Sequence, residues 1–191
     1  MGVKRKPHKQ RGFTLMETMV ASIVLAAGLL SVLSLFAYSL ANLQMSQEDL
    51  VARAKAKEGL ESVFSARDSS QITFDQINNK ANGGIFLDDF SLIYDPPGAD
   101  GIANTDDDSS SANSQLDGIV LPGPDGILGT GDDVRQTLTN FQRKITISPV
   151  FLTGTTTINN NLRLVTVTVR YTVPQFGGRQ YQVSAYISKY R

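Results

Sequence analysis

The sequence predicts an α+β fold in which one long amino-terminal helix packs on a small antiparallel β-sheet head. Three observations carry this expectation. Thirty consecutive uncharged residues, most of them apolar, lie between Glu17 and Glu48. Good helix formers without a Pro follow over residues 42–65. Near the carboxyl terminus Val165, Val167, Val169, Tyr171 and Val173 alternate with Thr166, Thr168, Arg170 and Thr172, the period of a strand with one buried face. A few strands alone leave a face uncovered, and the amphipathic end of the helix supplies the cover.

Composition narrows the chemistry. The 191 residues include no Cys and a single His, His8, so disulfides, thiolate sites, His-zinc sites and a Ser-His-Asp triad have nothing to be built from. The 18 basic and 18 acidic residues cancel, but they are segregated. Residues 1–12 carry five cations and no acid, residues 81–134 carry eleven Asp and no Lys or Arg, and residues 135–191 carry eight cations and no acid. Such blocks point to separate roles along the chain.

The amino-terminal block comes first. At about 1.5 Å per residue, the thirty uncharged residues make a helix of about 45 Å, more than a hydrocarbon core of about 30 Å requires. The basic flank precedes it, so the positive-inside rule leaves the amino terminus in the cytoplasm and the head outside. A cleaved secretory signal fits poorly, because the apolar run is too long and no small-x-small site follows it. A plain single-pass anchor fits the hydropathy but leaves Glu17 unexplained. A carboxylate four residues past Phe13, where the apolar run starts, is costly unless paired.

The run Arg11-Gly12-Phe13-Thr14-Leu15-Met16-Glu17 resembles the processing and assembly site of type IV pilins and pseudopilins. That resemblance implies a basic leader over residues 1–12, removed by a prepilin peptidase that cuts between Gly12 and Phe13. It implies N-methylation of the new terminus at Phe13 and an assembly role for Glu17. The buried α-amine of Phe13 would then be neutralised by a carboxylate from a neighbouring subunit, and an unpaired charge there would disfavour other axial registers. The run from Val20 to Leu30 is more similar to minor pilins and minor pseudopilins than to major subunits. Gly28 is either an ordinary membrane-helix Gly or a point where the helix loosens on assembly.

The helix is expected over residues 13–66, with its first part transmembrane. In its second part Leu50, Val51, Ala54, Leu60, Val63 and Phe64 form a loose apolar stripe. The head is expected over residues 67–191. A short extra helix is expected within 70–80, burying Ile72, Phe74 and Ile77. An acidic Asp/Gly-rich loop follows at 88–133, and antiparallel strands at 141–189. Tyr181, Val183, Ala185 and Ile187 mark the partner of the Val165 strand across a Pro174–Gly178 hairpin. Ile145, Ile147 and Phe151 mark a third strand, and a phase change suggests a bulge near Leu164. Arg143, Arg163, Arg170 and Arg179 read as solvent-facing strand residues; a DNA-binding patch is the sharper alternative, but no aromatic interleaving marks a stacking platform.

The acidic loop contains a repeat. Residues 98–108 align with residues 123–133 at an offset of 25, and seven of eleven positions are identical, giving G-x-D-G-I-x-x-T-x-D-D. Asp117-Gly118-Ile119 reads as a partial third copy. Clustered Asp oxygens are the hard ligands that Ca²⁺ prefers, so Asp100, Asp106, Asp107, Asp108, Asp125, Asp132 and Asp133 are candidate calcium ligands. The loop does not meet the EF-hand pattern. The competing reading is a flexible, solvated acidic loop.

Together these features predict a minor pilin or pseudopilin subunit, not an enzyme, since no nucleophile–base pair is visible. The expected partners are prepilin peptidase, other pilin or pseudopilin subunits and, before assembly, the inner membrane. The location follows: inner membrane first, then a pilus or a type II secretion pseudopilus, at the cell surface or in the periplasm. Removing residues 1–12 leaves 13 cations against 18 acids, so nucleic acid is not expected as a partner. No cofactor is required, and Ca²⁺ is the candidate ion for the loop. The alternative function is a calcium-dependent adhesive head displayed on a filament tip.

Overall fold

A computed structural model describes residues 12–110 and 114–190. The basic leader residues Lys4, Arg5, Lys6, Lys9 and Arg11 lie outside the described residues. One helix, α1 (Leu15–Asp68), runs through 54 residues. The chain divides into two compact units between Leu43 and Gln44.

In the first unit the helix is apolar on all sides. Ile23, Val24, Leu25 and Leu33, which point to different sides, are all exposed, and the helix is long and apolar enough to cross a membrane. A helix that is hydrophobic all round must be covered by lipid or by other protein.

The second unit holds the carboxyl-terminal part of α1 and the head. Among the described residues, α1 is followed by a single 3₁₀ turn (Lys80–Asn82) and eight strands: β1 (Ser91–Leu92), β2 (Tyr94–Asp95), β3 (Gln115–Leu116), β4 (Gly118–Leu121), β5 (Val134–Thr137), β6 (Phe141–Phe151), β7 (Ile158–Val173) and β8 (Gly177–Ser188). The main sheet has the order β1-β6-β7-β8, with all pairs antiparallel. β2 with β3 and β4 with β5 form two small ribbons.

The Val165, Val167 and Val169 side chains are fully buried, with Tyr171 and Val173 almost so, and the Thr residues between them face outward. Each buried Val contributes about 1.5–3 kcal/mol relative to leaving it exposed. The hairpin expected at Pro174–Gly178 joins β7 to β8. Phe141 stands opposite Tyr171, and their rings stack at 5.3 Å. The Tyr171 hydroxyl donates to Asp49 Oδ1 at 3.1 Å, clasping the helix to the sheet.

Five details differ from the sequence reading. The helix face against the sheet is a stripe of small residues, Ala52, Ala56, Gly59, Val63 and Ala66, whereas Leu50 is 66 % exposed and Ala54 is also exposed. Close approach explains it: a Cβ at Gly59 would stand 2.8 Å from Arg143 Cδ. Residues 70–80 form turns instead of a helix, although Ile72 and Ile77 are buried as expected; the backbone there is held by loop bonds such as Ile85 N–H to Gln76 O at 3.2 Å. Phe151 is exposed beside the loop that joins β6 to β7. The strand irregularity falls between Pro149 and Phe151, while β7 runs in unbroken register through Leu164; Pro149 has no N–H for the ladder. Arg143 is buried, as described below.

Candidate functional site

Two regions carry the candidate site residues: the start of α1 and the Asp-rich part of the head.

Gly12, Phe13 and Thr14 precede the helix. Thr14 caps it, its Oγ1 accepting from the Glu17 N–H at 3.3 Å and its carbonyl accepting from the Thr18 N–H at 3.2 Å. Thr14-x-x-Glu17 is the sequence of a capping box, and it places Glu17 in the first turn, where the helix dipole favours a carboxylate. Phe13 is exposed. A Cβ added at Gly12 or at Gly28 would meet nothing within 4 Å. Neither glycine is demanded by packing among the described residues.

The sequence matches the family described as the prokaryotic N-terminal methylation motif over residues 7–33. This is a type IV pilin-like prepilin motif. No curated protein and no solved structure matches the chain. The motif is the one that directs prepilin-peptidase processing and assembly with other pilin subunits. The exposed apolar helix that follows it is consistent with anchoring in the inner membrane. The α+β head, with a helix packed on an antiparallel sheet, is a pilin-like architecture behind that prepilin motif.

In the head, the two repeat copies fold alike. Copy 1 (98–108) connects β2 to β3 and copy 2 (123–133) connects β4 to β5, so each copy closes an antiparallel ribbon. Asp100 Oδ1 accepts from the Ile102 N–H at 2.8 Å, and Asp125 Oδ1 from the Ile127 N–H at 2.8 Å. Asp107 Oδ2 accepts from the Asp100 N–H at 3.2 Å, and Asp132 Oδ2 from the Asp125 N–H at 3.3 Å. Asp108 Oδ2 accepts from the Asn104 N–H at 2.8 Å, and Asp133 Oδ2 from the Gly129 N–H at 2.6 Å. The Thr105 and Thr130 hydroxyls lie 2.7 and 2.6 Å from Asp107 Oδ1 and Asp132 Oδ1.

The repeated glycines have steric reasons. Gly101 and Gly126 have φ of +70° and +72°, a conformation that favours Gly. A Cβ at Gly98 or Gly123 would collide with the carboxylate of Asp107 or Asp132. All seven identities of the repeat are thereby accounted for except Ile, which makes no bond that depends on its side chain. The partial third copy is not a turn: Asp117 precedes β4, and its Oδ1 accepts from the Gly118 N–H at 2.7 Å.

These bonds shape the carboxylate pKa values. Slight burial pushes Asp107 up, but the Thr105 hydroxyl and the Ala99 and Asp100 N–H groups outweigh it and hold it below the usual carboxylate range. Asp132 is held down by the Thr130 hydroxyl and then by the Asp125 N–H. Burial raises Asp100. Burial also raises Asp108, against hydrogen bonds from Asn104 and Thr105 and the charge of Arg143.

The candidate calcium ligands separate into the two copies. Among the described residues, no group of three or more His, Cys, Asp or Glu side chains is placed to hold a metal ion. Asp106 is ion-paired with Lys80, and Asp133 Oδ1 is a buried oxygen without a hydrogen-bond partner among the described residues.

One charged centre escaped the sequence reading. Arg143, 1 % exposed, lies under α1 with Nη1 3.3 Å from Lys55 O and 3.4 Å from Glu58 Oε1. Lys55 Nζ pairs with Glu58 at 2.7 Å and with the buried Asp117 at 2.5 Å. Burial lowers the Arg143 pKa, and the nearby Glu58, Asp108 and Asp117 charges oppose that fall. Burial also works against the Lys55 ammonium, yet Asp117 and Glu58 more than offset it and hold its pKa above the usual value. The signal was present in the sequence: Arg143 stands in phase with Phe141, Ile145 and Ile147. Arg163 is likewise not a free strand residue; its guanidinium donates to the carbonyls of Phe74 and Ile77 and packs over the Phe74 ring at 4.5 Å.

Proposed function

We propose that the chain is the precursor of a minor pilin or minor pseudopilin. Prepilin peptidase cuts between Gly12 and Phe13, Phe13 is N-methylated, and the mature subunit leaves the inner membrane for a type IV pilus or a type II secretion pseudopilus. The role is structural, not enzymatic. The observation that carries the reading is the methylation motif at residues 7–33 running directly into an exposed apolar helix. Gly12 adds support. Its side-chain position is open, so a requirement for Gly there would come from a partner such as the peptidase. Glu17 has no ion-pair partner among the described residues, and in the assembled state it neutralises the α-amine of a neighbouring subunit's Phe13.

The test is the amino-terminal mass after co-expression with a prepilin peptidase. The expected product begins at Phe13 and is heavier by one methyl group. An intact Met1 terminus in the presence of active peptidase would overturn the reading and leave a single-pass anchored protein. Glu17→Gln is then expected to be processed normally but lost from filaments.

A calcium-dependent adhesive head is the second reading, favoured by the unbonded Asp133 Oδ1. In a calcium-loaded form the other carboxylates would offer the cation the oxygen lone pairs that their own turn does not use. Calorimetry of the full chain with millimolar Ca²⁺ tests it; no heat and no thermal shift would exclude it.

A further inference from the structure

The charged centre under α1 holds an amine and a carboxyl group fixed against each other. Asp117 is 1 % exposed. Its backbone is held on both sides, the N–H donating to the Ile93 carbonyl at 2.9 Å and the carbonyl accepting from the Leu138 N–H at 2.7 Å. Its two carboxyl oxygens have different surroundings. Oδ1 accepts from the Gly118 N–H at 2.7 Å. Oδ2 is buried and accepts no hydrogen bond among the described residues, although Lys55 Nζ stands 2.5 Å from it. With a C–O distance of about 1.23 Å, Nζ is then no farther than about 3.7 Å from the carboxyl carbon. A poised attack needs about 3–3.5 Å between the reacting atoms. The third member is Glu58, whose Oε2 is 2.7 Å from the same Nζ.

We propose that Lys55 and Asp117 condense into an intramolecular isopeptide bond, with Glu58 carrying the proton. Glu58 takes one proton from the Lys55 ammonium. The nitrogen lone pair then attacks Asp117 Cγ and forms the C–N bond, and the carbonyl π electrons move onto Oδ1. The Gly118 N–H already donates to that oxygen, where negative charge develops. The nearby Arg143 guanidinium adds positive charge. The electrons on Oδ1 return to re-form the carbonyl, the Cγ–Oδ2 bond breaks, and its electron pair leaves with the oxygen. That oxygen takes the proton from Glu58 and a second one from Nζ, and departs as water. An ammonium and a carboxylate become a neutral amide and water, Glu58 is regenerated, and no other reactant is consumed.

The setting favours the amide over a lasting ion pair. Two charges are held away from water at a desolvation cost that their attraction need not offset, and the amide removes both. A backbone pinned between Ile93 and Leu138 supplies the orientation that a free acid and amine lack. Glu58 is left facing Arg143 Nη1 at 3.4 Å. Burial works against the ammonium while the two carboxylates retain its proton, so proton removal by Glu58 sets the rate. Lys80 and Asp106 are the contrast within the head: they also pair, but both stand in water, where the ionic form is well solvated. The bond ties α1 to the start of β4, and so to the ribbon that carries copy 2.

The bond does not rest on leader removal, so its failure leaves the processing reading untouched. The full-length chain is purified from membranes, checked for a cooperative melt, incubated and digested for peptide mass mapping. The expected result is one peptide joining Lys55 to Asp117, lighter by one water than the two separate peptides. Lys55→Arg and Asp117→Ala should keep the full mass. Asp117→Asn should give the same joined peptide, with ammonia lost in place of water. Glu58→Gln keeps both partners but should lower the cross-linked fraction at least about tenfold. An ion pair without the bond changes none of these masses. The proposal is overturned by a folded wild-type chain at full mass, with the Lys55 and Asp117 peptides separate. It is equally overturned by a water loss confined to the Asp117-Gly118 peptide, which marks a cyclic imide, by an equal yield of a Lys80–Asp106 link, or by an unchanged yield in folded Glu58→Gln.

Discussion

Copy 1 and copy 2 of the Asp-rich repeat are one local structure in two settings. Internally they share the Asp-to-N–H bonds, the Thr–Asp contact and the positive-φ glycine. They diverge at the four positions that differ. Asn104 ties copy 1 to the Leu87 carbonyl at 3.2 Å and accepts from Ser91 at 3.1 Å, where copy 2 has Gly129. Asp106 pairs with Lys80, where copy 2 has Gly131. The Ala99 N–H reaches Asp107 at 2.7 Å, where copy 2 has Pro124 and no donor. Ala103 sits in the core, where copy 2 exposes Leu128. The repeated residues build the turn, and the variable ones decide whether it is bound to the head.

The largest test removes the charged anchor beneath copy 1. Arg143→Met removes the buried cation beside Asp108 and Glu58, leaving Lys55 to hold Asp117 and Glu58, and is expected to cost about 3–5 kcal/mol. Denaturant unfolding measures the loss, and hydrogen exchange should show residues 98–108 opening before 123–133. Next are the two tips. Ile102→Ala should cost about 2–5 kcal/mol, as buried Ile truncations do, whereas Ile127→Ala should stay within about 0.5 kcal/mol in the isolated chain. Equal costs would mean that the two tips are equally buried, and the contrast would collapse.

The turn itself is probed by Asp107→Ala and Asp132→Ala. Each leaves backbone donors without their acceptor, and about 1–3 kcal/mol is expected where those donors are buried. The loss should be smaller at Asp132, where water can replace the carboxylate.

The smallest effect is with pH. Asp132 is depressed in the folded chain, so its contribution is present above the unfolded Asp value and is lost as pH falls through the lower folded value. Asp107 behaves the same way, but Asp100 and Asp108 are raised. A raised carboxyl disfavours the folded state once it ionises, so acidification relieves that penalty. Copy 1 should therefore respond weakly to acid, and copy 2 should lose the contribution of Asp132 as pH falls below about 4. Amide exchange across pH 3–6 distinguishes them.

Much of this was legible in the sequence. The apolar run and the Val/Thr alternation each carry a simple pattern, and each corresponds to the element it predicts; the prepilin motif is a residue string that the family comparison matches. The helix face was read correctly at Val51, Leu60, Val63 and Phe64, which pack on the core, and misread at Leu50 and Ala54, because the small residues between them were passed over. Leu50 is exposed while Ala52, Ala56 and Gly59 are covered, because a sheet that must approach closely selects for absent side chains. Arg143 was misread because charge was set above phase. The Asp repeat was visible as a repeat, but its carboxylates bond to the backbone N–H groups of their own turn, and residue type alone does not tell an oxygen that faces inward from one that faces a cation.

The self-sufficiency of that turn has a consequence for how the head can change over generations. Eleven residues whose carboxylates bond the backbone N–H groups of their own turn ask little of the surrounding core, so duplicating them adds a projecting loop without redesigning what lies beneath. The first copy can stay bound to its host while the second, freed from that duty, varies at its apex. A surface feature gained this way costs the fold little and is as easily lost, which makes the second ribbon the place where otherwise similar heads would be expected to differ most.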